Sequence, residues 1–453
     1  MTHPSQREKL FDRDIRVDFG LSKCARVGLM ALLLCACLLS VIGIIANFTV
    51  GSLTDERAVI PLEMLSAASS SYPSSARLHA RVAEASEQQG DLAQAEDHAE
   101  RAIRLSPHNF NYRLLLASVQ EAGGDEAAAE ESLRAGLSLA PNTVEVHWQL
   151  ANVLLRKGEL DEAVDHFRAA CALNVKLLPV TMNLIWRASG ENPDAVEAIT
   201  GSQPEARLKL AAFLLKHDNV DKAVTLFSQL APQTRLHSKE AREFLDTLIA
   251  RGELKPARDL WVNTVGNANH DASLIWNGGF ESDIAKDLTQ FDWVMFNDQF
   301  ARIRIGNGTA HTGSRSLRIE FAGRDTTRLD GEIKQLILAR PNTHYTLEYY
   351  ANAEKLVTTE GPRVVVRLKD SQDQIAGSEP IVAGKQGWQR VAFDIVSPAA
   401  PNEEAVALVV TIVHKPKFSY DEPTRGTLYF DDFTLTEQPD PLKAQLSFNR
   451  KID

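Results

Sequence analysis

A pattern that returns every 34 residues constrains this chain more than anything else in it. Gly90, Gly124 and Gly158 keep the interval, as do Ala95, Ala129 and Ala163, and Leu105, Leu139 and Leu173. Pro107 and Pro141 close the first two units. A period in this range predicts stacked helical hairpins, because one hairpin cannot bury its own apolar face and needs a neighbour. The array is expected over residues 76–266. Its fourth unit, near 178–203, breaks at Gly190 and Pro193 and comes out short, and register returns with Ala223 and Ala257, again 34 apart. Five regular units and one damaged one predict roughly twelve helices.

The 453 residues have room for more than this array. A formal net charge of -11 argues against a nucleic-acid partner, which needs a basic face to displace counterions. The four cysteines, Cys24, Cys35, Cys37 and Cys171, have neither disulfide-framework nor metal-type spacing.

In front of the array, an uncharged apolar run opens at Val27 and closes at Ala46. Twenty helical residues rise about 30 Å, the thickness of a bilayer's hydrocarbon core. Arg7, Lys9, Arg13, Arg16, Lys23 and Arg26 precede it, and only Arg57 follows at similar distance. Basic flanks stay in the cytoplasm, so residues 1–26 are expected inside, 27–49 as a single-pass signal-anchor in the cytoplasmic membrane, and the bulk of the chain outside, as in a periplasm. A cleaved signal would have a shorter core and a small-residue exit, and the stretch around Cys35 and Cys37 loosely matches a lipidation box. Residues 50–75 read as a linker containing a short helix.

From residue 76 the repeats resemble the tetratricopeptide repeat family. The third unit carries this best, through Trp148, Leu150, Ala151, Gly158, Ala163, Phe167 and Ala170. The resemblance implies a concave face, lined by the first helix of each pair, that docks a protein partner. Its lining positions are held here by Arg77, Glu84, Asn111, Ser118, Trp148, Asn152 and Arg156. Trp148 could be a binding hot spot or could pack into the neighbouring hairpin.

Beyond residue 267 the helical rhythm gives way to alternation. Leu317, Ile319 and Phe321 share one side of a strand, as do Tyr345, Leu347, Tyr349 and Ala351. Eight or more such strands predict an all-β sandwich over 273–437, followed by a tail at 438–453. Asn277-Gly278-Gly279-Phe280-Glu281, then His311 through Leu317, Trp388, and finally Asp431-Asp432-Phe433 resemble the galactose-binding-like jelly rolls used as carbohydrate-binding modules. That resemblance implies one structural Ca²⁺ held by Glu281 and Asp431 with carbonyls around Gly313 and Ser316. Strand alternation places Tyr429, Asp431, Phe433 and Leu435 on one inward side, and a buried carboxylate needs a metal, an arginine or backbone N–H groups. A sugar site would draw on Trp293, Phe296 and Phe300 with Arg302 and Arg304, and on Tyr350 beside Glu348 and Asn352. Trp293 and Trp388 have core packing as their alternative, whereas Tyr350 has polar strand neighbours.

Metalloprotease, nucleophile-elbow and phosphate-loop patterns do not occur, and the histidines look scattered. The expectation is a multidomain, non-catalytic envelope scaffold, its helical array docking a protein and its jelly roll contacting glycan or exopolysaccharide. The alternatives are an assembly factor whose sandwich is only structural and a cryptic glycan-active enzyme.

Overall fold

Helix α1 (Lys23–Leu53) carries an apolar span, Val27–Leu53, long enough to cross a membrane; most of it is exposed, and near its end Thr49 Oγ1 meets the Tyr72 hydroxyl at 3.5 Å. The computed structural model describes residues 23–54, 60–266, 273–297, 301–323, 328–384, 387–401, 403–415 and 422–438. These fall into two compact units divided between Leu173 and Asn174.

In the first unit, α2 (Leu62–Ser71) is the short helix expected in the linker. Three regular hairpins follow: α3 (Ala76–Gln89) with α4 (Leu92–Leu105), α5 (Phe110–Ala122) with α6 (Glu126–Leu139), and α7 (Val144–Lys157) with α8 (Leu160–Leu173). The repeated residues explain the hairpins. Gly90, Gly124 and Gly158 adopt φ of 82°, 80° and 81°, the left-handed conformation that lets a helix end and the chain reverse. Asp91 and Asp125, one period apart, cap the returning helices, accepting from Gln94 N at 3.1 Å and Ala128 N at 3.0 Å. Ala95, Ala129 and Ala163 are fully buried where paired helices touch, and a larger side chain there would cost about 1–3 kcal/mol in overpacking. Leu105, Leu139 and Leu173 keep the same interval for another reason. They sit at helix ends and stay exposed, so they mark the period without forming the core.

The second unit opens with a 3₁₀ turn, Val175–Leu177. Its helices are α9 (Leu178–Ala188), α10 (Pro193–Thr200), α11 (Pro204–Lys216), α12 (Val220–Ser228), α13 (Pro232–Leu236), α14 (Lys239–Ala250) and α15 (Leu254–Val265). The damaged repeat is α9 with the eight-residue α10, separated by Gly190 at φ 67° and restarted by Pro193 at the first turn. Among the described residues thirteen helices lie between 76 and 266, one more than expected, because the five-residue α13 intervenes before α14.

Ten strands follow among the described residues: β1 (Val294–Met295), β2 (Ala301–Asn307), β3 (Arg315–Ala322), β4 (Leu329–Ala339), β5 (His344–Val357), β6 (Arg363–Leu368), β7 (Gln374–Gly377), β8 (Trp388–Val396), β9 (Val406–His414) and β10 (Arg425–Glu437). They form two five-stranded sheets, β1-β4-β9-β6-β7 and β2-β3-β10-β5-β8, paired antiparallel throughout. One apolar core joins the two inner faces, with Leu317, Leu347, Val364, Leu408 and Phe430 fully buried.

Strand β10 departs from simple alternation. Leu428 and Phe430 face the core, yet so do Phe433 and Leu435. A β-bulge between Asp431 and Thr434, with Asp432 at φ 51°, inserts the odd residue that resets the phase. Tyr429 therefore lies on the outer face beneath the Arg318 guanidinium, 5.7 Å from its ring, and Asp431 is buried beneath a loop instead of inside the core. The expectation that Tyr429 and Asp431 share the side of Phe433 and Leu435 is corrected by this one residue.

The motif Asn277-Gly278-Gly279 also has a steric cause. A Cβ on Gly278 would lie 1.9 Å from the Phe433 carbonyl oxygen, while Phe433 N donates to Gly278 O at 3.0 Å. The entering segment thus runs directly against β10, and the Asn277 side chain closes the turn through Ser282 N (3.0 Å) and Ser282 O (2.8 Å). Within the same unit, α15 is tied to this segment. Trp261 is fully buried, meets Trp276 edge-on at 4.8 Å and donates from Nε1 to Leu288 O at 2.8 Å.

Candidate functional site

Three of the seven positions assigned to the concave face come together in one groove of about 850 Å³. Arg77, Arg81 and Glu84 line it from α3, and Asn111, Tyr112 and Leu115 from α5. The spacing follows from helix geometry, since positions three, four and seven apart share a face. Arg81 is tied to Glu84 at 2.7 Å, and Arg77 and Asn111 are exposed. The groove therefore offers an exposed guanidinium and amide over a floor where Tyr112 and Leu115 pack into the hairpin core, a mixture suited to an extended peptide.

The other four positions are engaged within the fold. Ser118 donates to Glu87 Oε1 across the hairpins at 2.6 Å. Asn152 donates to Trp148 O at 2.7 Å. Arg156 pairs with Glu121 and Glu126. Trp148 is half-buried, its ring edge-on to Phe167 at 5.3 Å, so part of that indole packs between helices.

The histidines of this unit are not scattered. His79 and His98 approach Nδ1 to Nδ1 at 3.0 Å, and His147 and His166, two repeats on, do the same at 3.0 Å. In each pair the first histidine's Nε2 meets a proline carbonyl, Pro73 O at 3.1 Å and Pro141 O at 2.9 Å. A carbonyl only accepts, so Nε2 carries the proton, Nδ1 of that ring accepts, and the second histidine donates from its Nδ1. Burial, then the neighbouring histidine, hold His98 and His166 below the usual imidazole range. Aligning the sequence on its 34-residue period exposes this pairing, whereas reading the histidines one at a time does not.

In the sandwich, the proposed sugar-contacting residues separate. Trp293 is fully buried, packed on Phe280 at 5.3 Å and Phe433 at 5.1 Å, and donates to Asn277 O. It is a core residue, its ring enclosed by the aromatic cluster, and cannot serve as a platform. Phe296 is 61% exposed, and Phe300 lies outside the described residues. The remainder occupy the outer face of the sheet β2-β3-β10-β5-β8, where register places Arg304, Arg318, Tyr429, Asn352 and Trp388 in one row across all five strands. Arg302, Arg304 and Arg318 surround a single acid, Glu320. Glu348 clamps Arg390 through both oxygens at 2.8 and 2.6 Å, which holds its carboxyl below the usual range. Tyr350 stacks on His311 at 3.6 Å with Trp388 edge-on to that histidine at 5.7 Å. Asn352 is almost fully buried. Arg318 and His311 were missed as members of this face, because the loop and strand that bring them are remote in sequence.

The four expected calcium ligands have these surroundings. Glu281 Oε1 accepts from Ser314 N and Arg315 N, each at 2.8 Å, and Oε2 from Ser314 Oγ at 3.0 Å. Gly313, at φ 63°, passes so close that a Cβ would lie 2.4 Å from Glu281 Oε1. Asp431 Oδ2 accepts from His311 N (2.7 Å) and Thr312 N (3.3 Å), and Oδ1 from Asp432 N (2.8 Å). Ser316 Oγ donates to Thr309 O. Burial pushes the Asp431 carboxyl up to about 6 despite these donors. Each carboxylate has about four acceptor positions and keeps about one free, against the six to eight oxygens calcium takes. Among the described residues no group of three or more His, Cys, Asp or Glu side chains could hold a metal ion. The fit is partial, and backbone N–H capping of Asp431, the alternative considered above, is present in the fold.

Comparison with known proteins bears on the helical repeats. Family models described as tetratricopeptide repeat match residues 62–110, 87–147 and 144–176. No curated protein matches the chain. Among solved structures, MamA AMB-1 is similar at 25% identity and a TM-score of 0.24, over 25% of this chain and 62% of its own. This chain thus spans less than two thirds of that relative. A CBM4 structure is similar at 19% identity and a TM-score of 0.25, over 36% of this chain and 99% of its own. YrrB, a TPR protein with an unusual peptide-binding site, is similar at 14% identity and a TM-score of 0.25, over 45% and 92%. With the capped hairpins, buried alanines and left-handed glycines described above, residues 62–176 are tetratricopeptide repeats.

Proposed function

We propose that this chain is a non-catalytic, membrane-anchored scaffold of the cell envelope whose first hairpins dock a protein partner and whose sandwich contacts glycan. The groove between α3 and α5 carries the first part, because Arg77 and Asn111 are exposed there beside the apolar Tyr112 and Leu115. Crosslinked capture from membranes tests it. Arg77→Glu with Asn111→Ala should lower partner recovery at least tenfold while helical content and melting stay unchanged. Recovery equal to the parent chain refutes docking in this groove. Trp148→Ala should weaken capture as well, with some loss of stability from the Phe167 contact.

The glycan part rests on the row Arg304, Arg318, Tyr429, Asn352 and Trp388 beside the Tyr350–His311 stack. Retardation in polysaccharide-containing gels should disappear in Tyr350→Ala, and no retardation by any polysaccharide sinks this part alone. An assembly factor with a purely structural sandwich is favoured in that event by Trp261, which buries the last array helix against the sandwich's entering segment. Calcium at Glu281 and Asp431 would add a cation to a buried, incompletely compensated carboxylate. EDTA should then lower the melting temperature, and an unchanged melt leaves the N–H caps as the whole explanation.

Anchoring rests on the length and apolar surface of α1 and on the basic residues before it. A phosphatase fused after residue 437 should be active and one fused before residue 27 inactive. The reverse pattern refutes the orientation.

A further inference from the structure

A second cavity, distinct from the groove between α3 and α5, opens in the first unit where α2 meets α3 and α4. It has a volume of about 400 Å³, within the range of small-molecule sites. Ser69 and Ser70 line it from α2, and Gln94, His98, Arg101 and Arg104 from α4. Helix geometry sets the four α4 groups in one row, each three or four residues from the next. Among the described residues no carboxylate lines it.

The repeat supplies its own comparison. Two periods on, His147 and His166 make the same bond as His79 and His98, but Gln94, Arg101 and Arg104 give way to Glu162, Ala169 and Ala172. There Glu162 Oε1 stands 3.8 Å from His166 Nε2, so the second pair has an acid within the fold. In the first pair His98 Nδ1 donates to His79, which leaves Nε2 as the free edge of its ring. Among the described residues nothing pairs with that nitrogen, and it keeps contact with solvent. Gln94 Oε1 accepts from Ser86 Oγ at 3.2 Å, so its accessible NH₂ is the group left to donate. Arg101 and Arg104 are held by Asp97 at 2.8 Å and Glu100 at 3.0 Å in exposed pairs on their own helix. Such pairs are weak and leave further N–H groups of each fork open. Across the cavity, Ser69 Oγ and Ser70 Oγ both donate to Ser66 O, at 2.8 and 3.1 Å, so what they offer a ligand is an acceptor. Burial, then His79 of α3, then Arg101 hold the His98 imidazole below its usual range, with Asp97 opposing, and neither α2 nor α5 brings a charge that acts on it.

The complement is an anion against α4 joined to hydroxyls against α2. We propose that this cavity binds a glycerol phosphate ester, its phosphate against His98 and the two arginines and its hydroxyls against the serines. A neutral polyol would leave the row of donors without a charge to meet. A carboxylate concentrates its charge on two oxygens in one plane, whereas the donors are spread over three turns of α4 and suit the tetrahedral oxygens of a phosphate. The ester has two sources, a lipid headgroup or a soluble metabolite. Pro73, also in the lining, follows Tyr72, whose hydroxyl lies 3.5 Å from Thr49 Oγ1 near the end of the apolar span. Only the lipid source rests on the anchoring reading above, and the site itself does not.

Histidine ring NMR of the full chain in maltoside micelles, which carry no phosphate, tests the site. The probe is glycerophosphoglycerol, a diester whose single charge is constant between pH 5 and 8 (about the range in which histidine titrates). It should raise the titration midpoint of His98 and leave that of His166 unmoved, because an anion favours the charged ring it touches. Arg101→Gln with Arg104→Gln, both exposed, should need at least tenfold more probe for the same shift, with an unchanged unfolding transition. Glycerate should also need at least tenfold more. In nanodiscs of phosphatidylglycerol, a lipid source gives a His98 midpoint already raised before any probe is added, and a soluble source gives one raised only by the probe. Either result supports the site. A His98 midpoint unmoved in both settings, an equal shift of His166, an equal response to glycerate, or a full response in the double variant each overturns the proposal.

Discussion

His414 makes the stability of the sandwich depend on pH in a way that can be isolated. It ends β9 at 2% exposure, its Nε2 meets Thr424 Oγ1 at 2.9 Å, and its Nδ1 is buried without a partner. Burial is the whole cause of a shift from 6.5 to about 4, with no charged neighbour contributing. A folded-state value below the unfolded one means that the unfolded chain binds the proton first. Stability is therefore fully present above pH 6.5 and is lost as pH falls toward 4. Linkage over that interval gives a loss of about 2 kcal/mol by pH 5 and about 3 kcal/mol by pH 4, relative to pH 8. Asp292 works in the opposite direction, since burial lifts its carboxyl to about 6 and favours the fold at acid pH. The measurement must thus be a difference between the parent chain and His414→Gln, which cancels Asp292. Urea unfolding at each pH from 8 to 4 should show His414→Gln closing on or overtaking the parent by about 2 kcal/mol at pH 5. A difference constant within about 0.5 kcal/mol, the scatter of ordinary surface substitutions, refutes the reasoning.

Three further outcomes follow from packing. Gly278→Ala would drive a Cβ into the Phe433 carbonyl, which is backbone and cannot swing aside. A loss above about 3 kcal/mol in urea unfolding is expected, and a loss below 1 contradicts the close approach. Trp261→Ala removes a fully buried indole and its bond to Leu288 O, at an expected cost of about 3–5 kcal/mol by calorimetry. It should also raise hydrogen exchange in α15, and unchanged exchange there would show that the indole does not hold the helix. His98→Phe removes the donor to His79, so acid titration of that variant should lose one of the three depressed imidazole signals in NMR while His166 and His414 keep their own.

Much of the architecture was legible in the residues because it repeats. A left-handed glycine, a capping aspartate and a buried alanine at fixed spacing each answer a local demand of the hairpin, and local demands are written locally. The apolar length of α1 and the two-residue rhythm of the strands are of the same kind. The damaged repeat was visible too, since Gly190 and Pro193 break helix by their own backbone chemistry. Even the paired histidines were present in the 34-residue register, unnoticed only because each was considered alone.

Tertiary structure alone decided which side chains meet. One inserted residue in β10 reversed the face of Tyr429 and Asp431, because a period of two has no tolerance for an odd residue. Trp293 became core and Tyr350 a stacking partner of His311 through loops that alternation does not encode. The acids Glu281 and Asp431 found N–H donors on a loop remote in sequence, and a cavity around Lys334 draws on α14 and four strands that only the folded second unit brings together. The 34-residue interval determines the array from within each hairpin. Its neighbours, grooves and cavities depend on distances between residues far apart in the chain, which no local spacing specifies.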